Sequence, residues 1–470
     1  MPNAKSNARR RVIEIKPIVD PDAKVYPRSI DGYFQRWRWA FIWLTQLVFY
    51  GLCWLPWNGR QAVLFDLDTR RFYLFDLVLW PQDAIYLAIL LALSALALFL
   101  FTAVAGRLWC GYTCPQTVYT EMFLWLEKLA EGERPKRMKL DAAPWSVHKL
   151  AVKTAKHTLW IALALWTGLT FVGYFTPIRD LTHGILDLSL GPWEVFWVLF
   201  YGAATYGNAG FMREHMCKYI CPYAQFQFVM FDRDTLNITY DRQRGEPRGP
   251  RRKTADPRAE GLGDCVDCSI CVQVCPTGID IRNGLQLECI GCAACIDACD
   301  QVMDKMEYPR GLIRYSTENA VEESLSRSEI IRRAARPRTL LYLAVFLAVS
   351  TTTAWSLLSR VPLKVSVIRD RAVLSREAPD GSIENVFSLQ LTNASEQART
   401  YRVHVAGLPG LRLDEAHEIE APPAGFGNAV LVLKVDPEAA SAGAHPIQIT
   451  VEDIADASVQ KTEKASFWMP

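Results

Sequence analysis

The sequence predicts a mixed architecture: a polytopic α-helical membrane bundle of five spans, a small ferredoxin-like segment built on a repeated cysteine run, and a C-terminal all-β immunoglobulin-like sandwich. Three observations predict it. Five segments are apolar over the ~20 residues that a helix needs to cross ~30 Å of hydrocarbon. Eight of the 13 cysteines fall between Cys265 and Cys299. After Leu363 the apolar pattern changes to alternation, the period of a strand. A chain of 470 residues exceeds one ordinary domain, and 50% hydrophobic content with 15 tryptophans suits a membrane protein with soluble attachments. The formal net charge of +2 hides basic loops set between apolar runs, which argues against a nucleic-acid binder.

Residues 1–36 form a polar, basic arm (Arg9, Arg10, Arg11, Lys16, Lys24, Arg28, Arg36) without the apolar core and small-residue cleavage site of a removable signal. The apolar segments are residues 39–57, 84–105, 158–177, 193–212 and 339–358, several ending in the Trp or Tyr of an interfacial anchor. The fourth carries Glu194 and then Gly202, Ala203, Ala204, Gly207 and Gly210, small residues that allow close helix packing. Lys and Arg crowd loop 107–157 and region 213–338, whereas loop 58–83 has only Arg60, Arg70 and Arg71, and loop 178–192 only Arg179. This bias places the arm and the cysteine-rich segment in the cytoplasm and everything after Arg360 on the opposite side. The expected division is 1–36 arm, 37–235 four-span domain, 236–263 flexible Arg/Pro/Gly-rich linker, 264–310 ferredoxin-like domain, 311–338 charged linker, 339–358 fifth span and 359–470 sandwich.

The cysteine-rich segment reads Cys265-x2-Cys268-x2-Cys271-x3-Cys275-Pro276 and then Cys289-x2-Cys292-x2-Cys295-x3-Cys299. This is the two-cluster ferredoxin spacing, in which the fourth cysteine of each run ligates the other run's cluster. Cys265, Cys268, Cys271 and Cys299 are therefore assigned to one [4Fe-4S] cluster, and Cys289, Cys292, Cys295 and Cys275 to the second. Asp300 stands where a second proline is expected, without touching the ligand set. Gly278, Gly284 and Gly291 supply tight turns between ligands. Structural zinc would more often show separated Cys-x2-Cys units, and a cytoplasmic location disfavours disulfides.

Two further pairs, Cys110-x3-Cys114-Pro115 and Cys217-x3-Cys221-Pro222, each follow an outward and an inward helix, so the membrane unit reads as an internal duplication. Cysteines four apart on a helix share a face. Soft thiolates favour Cu(I), so a paired thiolate site fed with electrons pulls bound copper toward the reduced state. Convergence of all four cysteines on one membrane-edge iron–sulfur centre, and purely structural thiols, remain the alternatives. His215, Met212 and Met216 add further donors near the second pair. Cys53 reads as packing, as do His404, His417 and His445 of the sandwich. No paired helix histidines and no Cys-x-x-Cys-His suggest haem. The sandwich rests on alternation at 365–369, 386–391, 401–405, 430–435 and 447–451. It contains no cysteine, and its default role is protein interaction.

In the order of these parts the chain resembles the cytochrome c oxidase accessory protein family CcoG, also called FixG or RdxA. The basic arm, the two helix pairs ending in Cys-x3-Cys-Pro, the double cluster motif, the last span and the sandwich carry the resemblance over essentially the whole chain. It implies a bacterial inner-membrane cupric reductase that supplies Cu(I) for assembly of cbb-type haem–copper oxidases. Its implied cofactors are two [4Fe-4S] clusters and copper, with Cys110, Cys114, Cys217 and Cys221 as the copper-handling or final electron-transfer thiols. The implied partners are the membrane, oxidase subunits or copper-delivery proteins and a cytoplasmic electron donor, with no nucleic acid and homo-oligomer formation left open. Two rival readings stand beside it: a quinol-linked polyferredoxin electron wire, and a non-enzymatic copper chaperone or assembly scaffold.

Overall fold

The computed structural model describes residues 24–253, 261–370, 373–415 and 417–470. Most of the expected arm, including Arg9, Arg10, Arg11 and Lys16, and residues 254–260 of the expected linker lie outside the described residues. Five long helices coincide with the five apolar segments: α1 (Tyr33–Leu52), α2 (Ala84–Ala105), α3 (Val147–Val172), α4 (Pro192–Gly207) and α5 (Pro337–Leu358).

Among the described residues, two helices and not five are long and apolar enough to cross a membrane, Pro81–Ala105 and Pro337–Leu358. The other three depart from the expectation for local reasons. The first turns of α1 hold Arg36 and Arg38. The helix α3 starts eleven residues before the apolar segment, so that its opening half carries His148, Lys149, Lys153 and Lys156. After 16 residues α4 passes into a π-helical turn at Asn208–Met212, where Asn208 and Gly210 interrupt the apolar run.

The chain forms two compact units. One comprises the chain up to Thr45, Leu98–Ala164 and Ala203–Leu340; the other comprises Gln46–Ala97, Leu165–Gly202 and Leu341–Pro470. The chain passes between them five times, each time inside one of α1 to α5.

In the first unit, the helix Pro115–Glu131 packs on the opening half of α3 and on the π turn. Phe123 and Trp160 are fully buried with ring centroids 5.3 Å apart, and the Trp160 indole donates to the Phe123 carbonyl at 3.0 Å. Gly210 lets the π turn approach closely, since a Cβ would stand 3.2 Å from the Trp160 ring. The strands Asn237–Tyr240 and Ile313–Ser316 pair antiparallel, with Ile238 opposite Tyr315 and Tyr240 opposite Ile313. Their buried residues Ile238, Tyr240 and Ile313 join Leu312 and Met303 in the core on which the cysteine runs lie. The expected flexible linker is thus structured in its described part. It contains the first of these strands and a helix Arg242–Gly245, and Arg244 pairs with Asp264 at 2.5 Å and donates to the Arg310 carbonyl at 3.0 Å. The charged stretch before α5 holds the second strand and the helix Arg327–Ala334, opened by a Ser326/Glu329 capping box.

In the second unit, the sandwich strands are β1 (Leu363–Arg369), β2 (Arg376–Glu377), β3 (Ile383–Asn393), β4 (Arg399–Ala406), β5 (Arg412–Leu413), β6 (Glu418–Ala421), β7 (Phe426–Val435), β8 (Gly443–Asp453) and β9 (Gln460–Met469). One sheet runs β5-β7-β3-β1 with β2 beside β3, and the other runs β6-β4-β8-β9. Alternate residues face inward: Phe387, Leu389 and Leu391 from β3 and Leu431, Leu433 and Val435 from β7 meet Tyr401, Val403, Ile447, Ile449, Val451 and Phe467 of the other sheet. Asp83, at the start of α2, pairs with Arg360 and Lys364, each at 2.7 Å, and so ties that helix to the root of the sandwich. Cys53 is buried beside Leu169, Val172, Ile178 and Leu181, its thiol donating to the Tyr50 carbonyl at 3.3 Å. Leu389→Ala is expected to cost about 2–5 kcal/mol through the lost transfer energy and the cavity left behind. A lowered denaturation midpoint for the sandwich, with iron content unchanged, is the outcome to look for.

Candidate metal centres

The two cysteine runs fold alike. In each, the residues flanking the second cysteine are left-handed: Asp267 (φ 51°) and Ser269 (φ 55°) around Cys268, Gly291 (φ 70°) and Ala293 (φ 60°) around Cys292. These turns wind the chain about a centre before the helices Ile270–Gln273 and Ala294–Met306 begin. Cys295 and Cys299 then lie one turn apart on the second of these helices, yet they open on different cavities. One cavity is lined by Cys265, Cys268, Cys271 and Cys299, with Tyr240, Arg282, Met303 and Leu312. The other is lined by Cys275, Cys289, Cys292 and Cys295, with Cys271 shared, and is walled by Ile238, Ile279, Ile281 and Ile290. Cys265, Cys268 and Cys299 thus line one cavity, Cys275, Cys289, Cys292 and Cys295 the other, and Cys271 both. Asp300 accepts from the Gly311 N–H at 2.9 Å and lines neither cavity.

The donor sets fit a four-thiolate cubane. Among the described residues, each cavity is lined by at least four cysteines and by no His, Asp or Glu, the all-thiolate donor set of an iron–sulfur cluster. Burial pushes the free Cys271, Cys289 and Cys299 thiols up to about 12, so it is coordination to a metal that would make them thiolates here. Beside the first cavity, the buried Arg282 pairs with Asp267 at 2.5 Å and Asp280 at 2.7 Å. Near Cys292, the buried Arg38 pairs with Glu121 at 2.8 Å.

The two Cys-x3-Cys-Pro units also fold alike. Cys110 lies in the helix Leu108–Tyr112, and Cys114 caps the helix Pro115–Glu131. Cys217 lies in the π-helical turn Met216–Ile220, and Cys221 caps the helix Pro222–Met230. Each second cysteine thus stands where free backbone N–H groups favour negative charge, and the proline fits the first helical position because its missing N–H is not needed there. At Cys114, burial raises the thiol while the N–H groups of Gln116 and Thr117 pull the other way.

The structure brings the two pairs together. Burial pushes Cys110 and Cys217 up to about 12; Cys114 and Cys217 add to this for the first, and Cys114, Cys221 and Glu214 for the second. The Gln116 amide donates to the carbonyls of Asn208 at 3.0 Å and Arg213 at 3.2 Å, fastening one unit to the other. Cys110 and Cys217 both pack against the buried cluster of Ile290, Cys292 and Ala298. The approach to the second cysteine run is close enough that a Cβ on Gly111 would stand 2.6 Å from the Gly291 carbonyl oxygen. His215 stacks on Tyr219 with ring centroids 5.8 Å apart.

Comparison with known proteins bears on most of the chain. Residues 212–318 match the family described as a 4Fe-4S dicluster domain, residues 87–131 a 4Fe-4S binding domain, and residues 353–470 the Ig-like fold at the C-terminal of FixG. The chain is 39% identical over 424 residues to the nitrogen fixation protein FixG of Rhizobium meliloti, covering 84% of this chain and 81% of that one. It belongs to the FixG/RdxA family. Protein RdxB of Cereibacter sphaeroides is 40% identical over 402 residues, covering 84% of each chain, and protein RdxA of the same organism is 38% identical over 407 residues, covering 84% and 85%. Within this FixG/RdxA chain the dicluster match takes in Cys217 and Cys221 besides the eight ferredoxin-type cysteines, and the shorter match takes in Cys110 and Cys114.

Several residues around these centres were not singled out by sequence reasoning. Tyr315 donates to the Gly291 carbonyl at 2.7 Å and lies 3.4 Å from the Tyr112 hydroxyl, so one tyrosine pair bridges the turn Cys289–Cys292 and the turn Cys110–Cys114. Glu127 is buried and faces Arg213 at 2.8 Å, Arg137 at 3.4 Å and Lys156 at 3.9 Å. It fixes Arg213, four residues before Cys217. Arg107 is also buried, three residues before Cys110. Only its basic character at the end of an apolar run was legible.

Proposed function

We propose that this chain is a membrane-bound electron-transfer oxidoreductase that reduces Cu(II) to Cu(I) at the four-cysteine centre, for delivery to a cbb-type haem–copper oxidase during assembly. The observation that carries the proposal is the convergence of Cys110, Cys114, Cys217 and Cys221 against the turn Cys289–Cys292. A [4Fe-4S] group at each cavity supplies one-electron transfer. The eight ferredoxin-type cysteines hold those groups, and Arg38, Arg107 and Arg282 place positive charge beside them. Gly111 and Gly291 allow the contact that brings the thiols close. Cu(II), which prefers nitrogen and oxygen donors, becomes the better thiolate ligand acceptor on gaining one electron, so the soft donor set favours the reduced product.

The membrane placement is part of the same proposal. It is supported by the two apolar helices Pro81–Ala105 and Pro337–Leu358 and by the Lys/Arg bias, which favours a cytoplasmic cluster-bearing unit and a periplasmic sandwich. The sandwich then serves as a docking module for oxidase subunits or copper-delivery proteins. The direct test uses anaerobically purified, pre-reduced protein with Cu(II) and a Cu(I)-specific chelator. Chelator signal above the protein-free rate is expected, and a rate equal to it overturns the proposal.

The match of residues 87–131 to a 4Fe-4S binding domain favours a second reading, in which the same four cysteines hold a third iron–sulfur group. Iron analysis separates the two. About eight iron atoms per chain fit thiols free for copper, and about twelve fit a third cubane.

A further inference from the structure

We infer that Arg107 is the shared counter-cation of two redox centres, the second cluster site and the four-cysteine site, and that it couples them electrostatically. The inference rests on the proposed reading in that the four cysteines hold a redox-active metal. Five arginines of the first unit are buried: Arg38, Arg107, Arg137, Arg213 and Arg282. Four of them have a carboxylate partner, Arg38 with Glu121, Arg137 and Arg213 with Glu127, and Arg282 with Asp267 and Asp280. Among the described residues no Asp or Glu pairs with Arg107, which is 3% exposed. A guanidinium does not escape this by losing its proton, and a buried charge without an opposite charge is strongly disfavoured.

Arg107 donates to three backbone carbonyls, and the charges that act on it most are those of cysteines. The ionisable groups acting on it are the thiols of Cys110, Cys289, Cys217 and Cys221, one from the second cluster set and three from the membrane-edge set. Its fork reaches both. One arm donates to the Cys289 carbonyl at 3.3 Å and to the Leu287 carbonyl, at the entrance of the turn Cys289–Cys292. The other donates to the Ala224 carbonyl, just after Cys221-Pro222. Its own carbonyl oxygen would stand 3.0 Å from a Cβ on Gly291, and its buried Nε has no acceptor. The missing negative charge is therefore the one that metal-bound thiolates provide, and Arg107 lies where it can stabilise added electrons at either centre. It is a positioning residue acting through charge.

Arg107→Gln removes the charge and keeps much of the shape. By redox titration with electron paramagnetic resonance, its second-site cluster is expected to become at least tenfold harder to reduce, a fall of about 59 mV for one electron. The signal of the Cys265/Cys268/Cys271/Cys299 site should stay near its wild-type potential. Chelator competition should show Cu(I) held about tenfold more weakly by the four cysteines. Arg107→Lys should restore both. Unchanged second-site potential in Arg107→Gln, or equal shifts at both clusters, would overturn the inference. Should Arg107→Gln lose iron, Arg107→Lys carries the test: wild-type potentials with its charge retained support the assignment, and a tenfold shift despite that charge sinks it. These potentials are read whether or not copper is reduced, so failure of the coupling and failure of the cupric reductase reading are distinguishable.

Discussion

Cys299→Ala is expected to remove the cluster of the first cysteine run, although Cys299 ends the second. The helix Ala294–Met306 makes this unavoidable, because it sends Cys295 to one cavity and Cys299, one turn later, to the other. The variant should lose about half of the cluster iron, about four atoms per chain, together with one of the two cluster signals. Cys275→Ala should lose the complementary signal. Paired measurements of iron and paramagnetic resonance on Cys299→Ala, Cys265→Ala and Cys289→Ala decide it. If Cys299→Ala resembles Cys289→Ala rather than Cys265→Ala, the crossed assignment is wrong.

Glu127→Ala should be the most destabilising single change outside the cluster ligands, at about 3–5 kcal/mol, because it leaves Arg213 and Arg137 buried without their common carboxylate, whereas Lys156 keeps Glu131 at 2.9 Å. The effect depends on pH with a definite sign. Burial alone would raise the Glu127 carboxyl, but Arg213 and Arg137 outweigh it and hold it below the ordinary carboxylate range. A group with a depressed folded value contributes stability that is present above its unfolded value, about 4.3 for Glu, and is lost as pH falls through the folded one. The difference in denaturation midpoint between wild type and Glu127→Gln should therefore be full at pH 7 and shrink only below about pH 4. A difference that stays constant across that range would show that Glu127 acts through shape rather than charge. Because Arg213 precedes Cys217 by one turn, Glu127→Ala should also weaken the four-cysteine centre before it touches the ferredoxin-type sites.

The cysteine framework was legible in the sequence because ligand geometry dictates spacing. A thiolate triplet followed by a fourth cysteine one helical turn on can be read without knowing any distant contact. The sandwich was legible for a similar reason, since Phe387, Leu389 and Leu391 alternate with polar residues on one strand. What failed was whatever depends on partners far along the chain. The strand Asn237–Tyr240 sits in a stretch that composition reads as a linker, and it exists because Ile313–Ser316, some 75 residues later, supplies its hydrogen bonds. The membrane count failed differently. Apolar windows at 39–57, 158–177 and 193–212 do correspond to helices, but helix bounds follow caps and packing, so basic turns joined α1 and α3 and a π turn cut α4 short. Arg107 looked like one more cytoplasmic cation. Its solitude became visible only when Leu287, Cys289 and Ala224 were found around it.

The central claim is that the two Cys-x3-Cys-Pro units form one redox site separate from the two clusters. The most direct measurement takes the quadruple variant Cys110→Ala, Cys114→Ala, Cys217→Ala, Cys221→Ala, reduces it fully, and follows Cu(I) formation beside iron content and cluster signals. The account predicts wild-type iron and both cluster signals, with Cu(II) reduction falling to the protein-free rate. Cluster signals lost in proportion to activity, or copper reduction undiminished in the variant, would contradict it.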